Sequence, residues 1–265
     1  MIMERKVKGE IKKATLSKTP TGKYFVSILT ELEYTPAPTT GKKVGIDLGI
    51  KDFLVLSTGS KIKSGRFIKR YERKLTLNQK HLSRKTKGSK RYERQRLKVA
   101  RIHEKISNSR MDIIHKVSLN LIKEFDVIYL EDLNVSGMIK NHKLAKSISD
   151  VSWGKFVETI FYKASWNDKE VIKVDRFFPS SKTCNSCGWI NNSLTLTDRT
   201  WICKCGKTHD RDINAAKNIL SEGLRLNNIS VGTTDYGRGA QIRLDKSSTS
   251  CETSKKKVLH VPETH

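Results

Sequence analysis

No stretch of eighteen consecutive apolar residues occurs anywhere in the 265-residue sequence, so no membrane-spanning helix is expected. The N-terminus, MIMERKVKGE, lacks the apolar core of a signal peptide, which points to a cytoplasmic protein and away from disulfides. No segment recurs, which excludes architectures built from internal repeats. Acids are scarce: 27 Asp and Glu stand against 52 Lys and Arg, a net charge of +25. Apolar residues make up 36% of the chain, a low share that still allows one ordinary domain with smaller pieces attached.

An excess of that size destabilises a compact chain unless a polyanion neutralises it, so nucleic acid is the expected partner. An anionic membrane surface is the weaker rival, because no segment joins this charge to a clean apolar face. The charge is concentrated. Residues 61–110 carry 19 Lys and Arg against three Glu, a local net of +16. A merely solvated helix would favour balanced ion pairs one turn apart, and three acids among nineteen bases cannot supply them. A phosphate backbone supplies the missing anions. The candidate contacts are Arg70, Arg73, Lys74, Lys80, Arg84, Lys85, Lys87, Lys90, Arg91 and Arg94.

The pattern of elements points to an α/β layered fold with a mixed sheet. Residues 8–34 read as a strand pair turning at Thr19-Pro20-Thr21-Gly22, and Thr35-Pro36-Ala37-Pro38 as a stiff linker at a domain boundary. Residues 43–58 read as two strands, with a third within 60–69. A helical region over 70–124 is interrupted at Lys87-Gly88-Ser89, and Ile102, Ile106, Ile113, Val117 and Leu121 recur at helical spacing toward the core. A buried strand is expected in 126–133, a helix at Trp153–Trp166, a strand at 169–175 and a last helix near Asp212. Beyond about residue 228 the chain is polar and expected to be poorly ordered.

Five cysteines are present, and four fall in two close pairs: Cys184 with Cys187, and Cys203 with Cys205. Two pairs separated by fifteen residues form the pattern of a tetrahedral four-thiolate Zn2+ site, and Gly188 and Gly206 suit the tight turns that wrap a metal. Four thiolates leave no open coordination position, so the role is structural. His209 would be a surplus fifth ligand and is expected to flank the site. Cys251 stands alone.

Three dispersed carboxylates form the second constellation. In Val44-Gly45-Ile46-Asp47-Leu48-Gly49, alternation puts Asp47 on a face shared only with glycines, cleared for a metal and a phosphate backbone. Glu131 ends the apolar run Ile128-Tyr129-Leu130, and Asp210 and Asp212 stand where the last helix begins. Glu131 could simply face water at a strand end, and Asp212 could be an N-cap. If the strands are neighbours, the acids converge and repel one another, and hard oxygen donors of this kind select Mg2+ or Mn2+.

These residues resemble a known family. GIDLGIK at 45–51, YLEDLNV at 129–135, and SSKTCNSCG with HDRDINAAKNI between 180 and 219 are similar to RuvC motifs one to three with the interposed zinc ribbon of TnpB proteins, the insertion-sequence relatives of type V CRISPR effectors. The resemblance covers about residues 5 to 222. It implies an RNase H-like (RuvC) fold with flanking helices and an RNA-guided, metal-dependent DNA endonuclease. Asp47, Glu131 and Asp212 would be the catalytic, Mg2+- or Mn2+-binding acids, with guide RNA and DNA as partners along the basic helices. Asp212 is preferred because it opens the family's Asp-x-Asn-Ala segment. The implied domains are a remnant β wedge with linker at 1–40, the nuclease domain at 41–178 and 208–224, the ribbon at 179–207, and a polar basic tail at 225–265. Only a remnant of the family's N-terminal half has a counterpart, so the expectations include a truncated chain. A nucleic-acid-binding protein without chemistry and a DNA-joining transposase are the alternatives. The sequence carries no signal for oligomeric state.

Overall fold

A computed structural model describes residues 7–232, Leu196 excepted, together with 257–260. Packing divides the chain into two units. One holds the N-terminal hairpin, Arg66–His115 and the C-terminal segment from Ser247; the other holds Ala37–Gly65 and Lys116–Lys246.

In the first unit, β1 (Glu10–Lys18) and β2 (Tyr24–Leu32) pair antiparallel, from Glu10 with Glu31 to Lys18 with Tyr24. Their turn is the expected one. The Thr19 N–H donates to the Lys23 carbonyl and the Gly22 N–H to that of Thr19, with Gly22 at φ 87°. Helices α1 (Phe67–Ser83) and α2 (Lys90–Glu124) are separated near the expected interruption. Gly88 adopts φ 86°, and the Ser89 hydroxyl accepts from the Tyr92 N–H at 3.1 Å, a serine cap that starts α2. Phe67, Ile102 and Ile106 form the buried seam of this pair, flanked by Tyr71, Leu75 and Ile113. Buried Gln95 ties the helices through the Asn78 carbonyl at 3.0 Å.

The apolar stripe of α2 drifts along its length. Ile102, Ile106 and Leu121 are buried as expected, but Ile113 and Val117 are half-buried while Ile114 and Ser118 are fully covered. The helix passes from one unit to the other at His115 and Lys116, so its inward face changes. The resemblance implies a nuclease segment beginning at residue 41; by packing, Arg66–His115 group with the hairpin. Among the described residues no helix is long and apolar enough to cross a membrane.

The second unit is built on a five-stranded mixed sheet in the order β5-β4-β3-β6-β7. Its strands are β3 (Lys43–Leu48), β4 (Asp52–Leu56), β5 (Lys61–Lys63), β6 (Val127–Glu131) and β7 (Glu170–Val174). β3, β4 and β5 form an antiparallel meander, while β3, β6 and β7 run parallel. Val44, Ile46, Leu54, Ile128, Tyr129 and Leu130 are wholly buried, as strands covered on both faces require. Short helices α3 (Val135–Ile139) and α4 (His142–Val151) and the longer α5 (Trp153–Trp166) connect β6 to β7, and Phe156 of α5 meets Phe53 of β4 edge to face at 5.1 Å. The four-cysteine segment follows β7. It contains the hairpin of β8 (Thr200–Ile202) and β9 (Thr208–Asp210), which runs directly into α6 (Arg211–Gly232).

Helix α6 lies across β3, β4, β6 and β7. It extends past residue 224, where the nuclease domain was expected to end, because its apolar face continues through Leu220 and Leu224 into the cluster around Tyr129 and Val174. Two glycines allow the close approach. A methyl on Gly45 would come within 2.3 Å of the Ala216 carbonyl oxygen, and one on Gly223 within 2.0 Å of the Tyr129 ring. The expected tail from residue 228 lies mostly outside the described residues, but β10 (Lys257–His260) pairs antiparallel with β2.

Gly45→Ala therefore over-packs against backbone, which cannot step aside. Its stability to urea falls by about 3 kcal/mol, the upper end of over-packing losses. Gly154→Ala, whose new methyl meets nothing within 4 Å in α5, is neutral or stabilising.

Candidate functional site

The four cysteines converge. Their sulfurs all lie within 4.8 Å of one another, the only group of three or more such ligand atoms among the described residues. Cys184 and Cys205 are 3.8 Å apart and Cys187 and Cys203 3.5 Å, close to the roughly 3.8 Å edge of a tetrahedron with Zn–S bonds of about 2.3 Å. Gly188 (φ 76°) and Gly206 (φ 83°) close the two turns, donating to the Cys184 and Cys203 carbonyls at 2.9 Å each. The thiol set thus fits zinc. Burial would raise the Cys184 thiol, but N–H groups of Cys187 and Ser186 aimed at its sulfur outweigh that and bring it to about 6, ready to bind as thiolate. His209 lies 3.1 Å from the Cys184 sulfur and packs on Trp201, so it flanks the cluster as expected.

The ribbon is bolted to α6 by two asparagines one turn apart. Asn214 donates to the Thr183 carbonyl at 2.7 Å and accepts from the Asn185 N–H at 3.0 Å; Asn218 donates to the carbonyls of Ser180 and Thr183. Both are almost fully buried.

The carboxylates gather at the C-terminal ends of the parallel strands. Ile46 pairs with Leu130, so the next position in that register sets Asp47 beside Glu131, and Glu131 pairs with Val174 on its other side. Burial, then the carboxylates of Glu131 and Asp212, push the Asp47 carboxyl up to about 7, against the opposing pull of Arg211. Glu131 is raised as well, by burial and then by Asp132. Asp132 faces elsewhere. Although burial opposes it, the bonds from Lys173 (2.9 Å) and Arg176 hold its carboxyl low.

Asp210 and Asp212 divide the roles that the sequence left open. Asp210 is the cap: its carboxylate accepts from the Asp212 and Ile213 N–H groups at 3.2 and 3.1 Å and pairs with Lys61 at 2.7 Å. Asp212 is the one that acts electrostatically on Asp47, and it meets Arg199 and Arg211 at 3.3 Å each.

One reading needs correction. The glycines do not clear the face of β3 beside Asp47, because the space over Gly45 is filled by α6 and a methyl on Gly49 would meet the Asp52 carbonyl oxygen at 2.6 Å. The charge of the acid cluster is relieved by the raised proton affinity of Asp47 and by arginines on Asp212. No sequence period marks Arg199, Arg211 or Lys61 as partners of these acids. Asn214 and Asn218, four apart on a helix face, carry a weak signal that was legible. Of the ten basic candidates, all in α1, α2 or the turn between them, nine are exposed and Lys85 is half-buried.

A mixed α/β sheet with a four-thiolate ribbon docked on its last helix, and two acids at the ends of its central strands facing a third at the start of that helix, defines the class. The chain belongs to the TnpB family. Residues 26–142 match the IS605-type OrfB family, described as "Probable transposase", and residues 153–219 match the Cas12f1-like TNB domain. A Streptomyces pristinaespiralis protein named as an RNA-guided DNA endonuclease is 45% identical over 79% of this chain and 52% of its own length. InsQ of Escherichia coli K12, named likewise, is 33% identical over 83% of this chain and 58% of its own. The chain thus spans about half the length of these curated relatives. Among solved structures, a Cas12f1 complex with guide RNA and target DNA aligns at TM-score 0.50 and 18% identity, covering 76% of this chain and 57% of that one. A CRISPR-Cas12f ternary complex aligns at 0.51 and 22%, covering 74% and 41%. Both likenesses are of fold.

Two outcomes follow from this geometry. Purified protein contains about one zinc per chain by elemental analysis, and Cys184→Ser or Cys203→Ser loses it, with faster amide exchange confined to residues 180–210. In metal-free protein Asp47 binds its proton more tightly folded than unfolded, so its contribution to stability is lost as pH rises from 3.8 through about 7. Asp47→Asn then raises stability at pH 8 by about 2 kcal/mol. That is half of what three pKa units would give, because the carboxyl is partly open to water. The gain shrinks toward pH 4 in urea titrations.

Proposed function

We propose that this chain carries the nuclease portion of an RNA-guided DNA endonuclease with an RNase H-like (RuvC) fold. Asp47, Glu131 and Asp212 serve as its divalent-cation-binding acids. The observation that carries the proposal is Asp47. It is an acid set in a buried strand, its proton affinity raised by two further acids brought from distant parts of the sequence. A charge in that position is costly unless it is paired or coordinates a metal, and a cluster of perturbed carboxylates is a marker of acid or metal chemistry. Relatives named as RNA-guided DNA endonucleases support the same reading.

The donor set suits Mg2+ or Mn2+, whose oxygen ligands these are, and not the ion of the thiolate ribbon. A bound divalent cation would supply charge stabilisation for in-line hydrolysis of a phosphodiester. The chain's own residues do the rest. Asp47 gives up its proton as it takes on a ligand's role. Asp212 would meet the cation beside Arg199 and Arg211, which stand at the site as cations suited to phosphate oxygens. Asp210 stays behind as the helix cap and holds the first turn of α6 in place. The ribbon, bolted through Asn214 and Asn218, keeps that turn aligned. The basic faces of α1 and α2 hold the sugar-phosphate backbone of a guide–target heteroduplex, reading charge and shape and leaving sequence to base pairing.

The test is cleavage of labelled DNA with guide RNA, by the chain alone and joined to the part of a relative that it does not span. Asp47→Ala lowers the Mg2+-dependent rate about a thousandfold or more, a loss of about 4 kcal/mol of transition-state stabilisation, and leaves nucleic-acid binding within a few fold. Asp210→Ala is milder than Asp212→Ala. Equal cleavage by Asp47→Ala would refute the assignment and leave the second reading, a binding protein without chemistry, which the strongly basic helices alone would suffice to explain.

A further inference from the structure

Phe177 is the most exposed large apolar side chain among the described residues, with 85% of its surface open. It does not stand on a loose loop. The Phe177 N–H donates to the Asp175 carboxylate at 2.7 Å, the Phe178 N–H to the Asp175 carbonyl at 3.1 Å, and the Ser180 N–H to the Phe178 carbonyl at 2.7 Å. Phe178 is packed into the cluster of Tyr129, Val174 and Ile219, and the Ser180 carbonyl is held by buried Asn218. Both ends of this turn are therefore anchored, and Phe177 is presented to water by a fixed backbone.

Its position gives the exposure a meaning. Val174 is the register partner of Glu131, and the Asp132 N–H donates to the Val174 carbonyl at 3.0 Å. The ring follows three residues later, within roughly 11 Å of that row along the chain. Arg176, immediately before it, bonds Asp132. The turn thus emerges beside the acid row, between Arg176 and Lys182, both exposed cations. An exposed aromatic ring on a fixed backbone, with cations beside it in the chain, suits an unstacked base with its flanking phosphates.

We propose that Phe177 is a stacking platform for one base of a single-stranded polynucleotide led to the acid site. The ring recognises the π-face common to all four bases, so it holds the strand without reading its sequence. The proposal rests on the nuclease reading above and specifies how that site grips its substrate.

The experiment measures equilibrium binding by the full chain of two short single-stranded DNA oligomers of equal length and charge, in the absence of divalent cations so that nothing is cut. One oligomer carries bases throughout; the other is abasic. Phe177→Ala weakens binding of the base-bearing oligomer about tenfold and leaves the abasic one unchanged, with the same salt dependence for both proteins. Phe177→Trp restores or exceeds the wild-type affinity. Equal weakening on both oligomers, or none on either, overturns the platform and points to a protein partner for this ring. Cleavage by the wild-type chain in the presence of Mg2+ is scored separately, so failure of the platform and failure of the nuclease reading give different results.

Discussion

The close seating of α6 on the sheet is the constraint from which the rest of the second unit follows. A helix carrying ordinary side chains on both surfaces packs about 10 Å from a sheet. Here the contact is between bare backbone and small residues: Gly45 faces the Ala216 carbonyl, Gly223 faces the Tyr129 ring, and Ala215, Ala216 and Ile219 have no exposed surface. The seating fixes where the helix begins, and the beginning of the helix carries Asp212. Because Gly45 and Asp47 share one face of β3, the residue that admits the helix and the residue that meets its N-terminal acid are neighbours on the same strand. Packing and chemistry are therefore set by one short segment.

Once the acids are brought together, their charge must be accommodated within the protein. The fold does this by three separate means. Asp47 keeps a proton close to neutral pH, Asp212 leans on Arg199 and Arg211, and Asp132 and Asp210 are taken out of the cluster by Lys173, Arg176 and Lys61. Each is reversible. Deprotonation uncovers the Asp47 carboxylate, and the partly buried pairs of Asp212, at 3.3 Å each, hold their arginines at the cluster.

Much of this was legible in the sequence, for a physical reason that also marks the limit. Strand and helix periods are local, so β3, β6 and α5 were readable within a residue or two, and the spacing of four thiols announces a metal without any knowledge of the fold. Glycine at 45 was legible as an absence of side chain, but not what fills the space, because α6 lies 170 residues away. The choice between Asp210 and Asp212 depended on which one caps the helix, and both stand at its start. The short helices α3 and α4 offer too few turns to show a period. The grouping of α1 and most of α2 with the N-terminal hairpin involves polar contacts far apart in sequence, such as Thr21 with Glu104, which no local period announces.

The ribbon and the acid site are usually thought of as separate parts, one structural and one chemical, but the bonding here argues that they are one mechanical piece. β9 passes into α6 with no intervening loop. Its last residue, Asp210, closes the ribbon hairpin opposite Thr200 and at the same time caps the helix. Asn214 and Asn218 then hold the first cysteine turn, and Arg211 reaches back to the Thr195 carbonyl. A ribbon of this size has no core large enough to hold such geometry without metal, so binding free energy at the thiolates becomes ordering of the segment that carries Asp212. The four cysteines share no ligand with the acids. Through a continuous chain of hydrogen bonds they help decide where Asp212 stands.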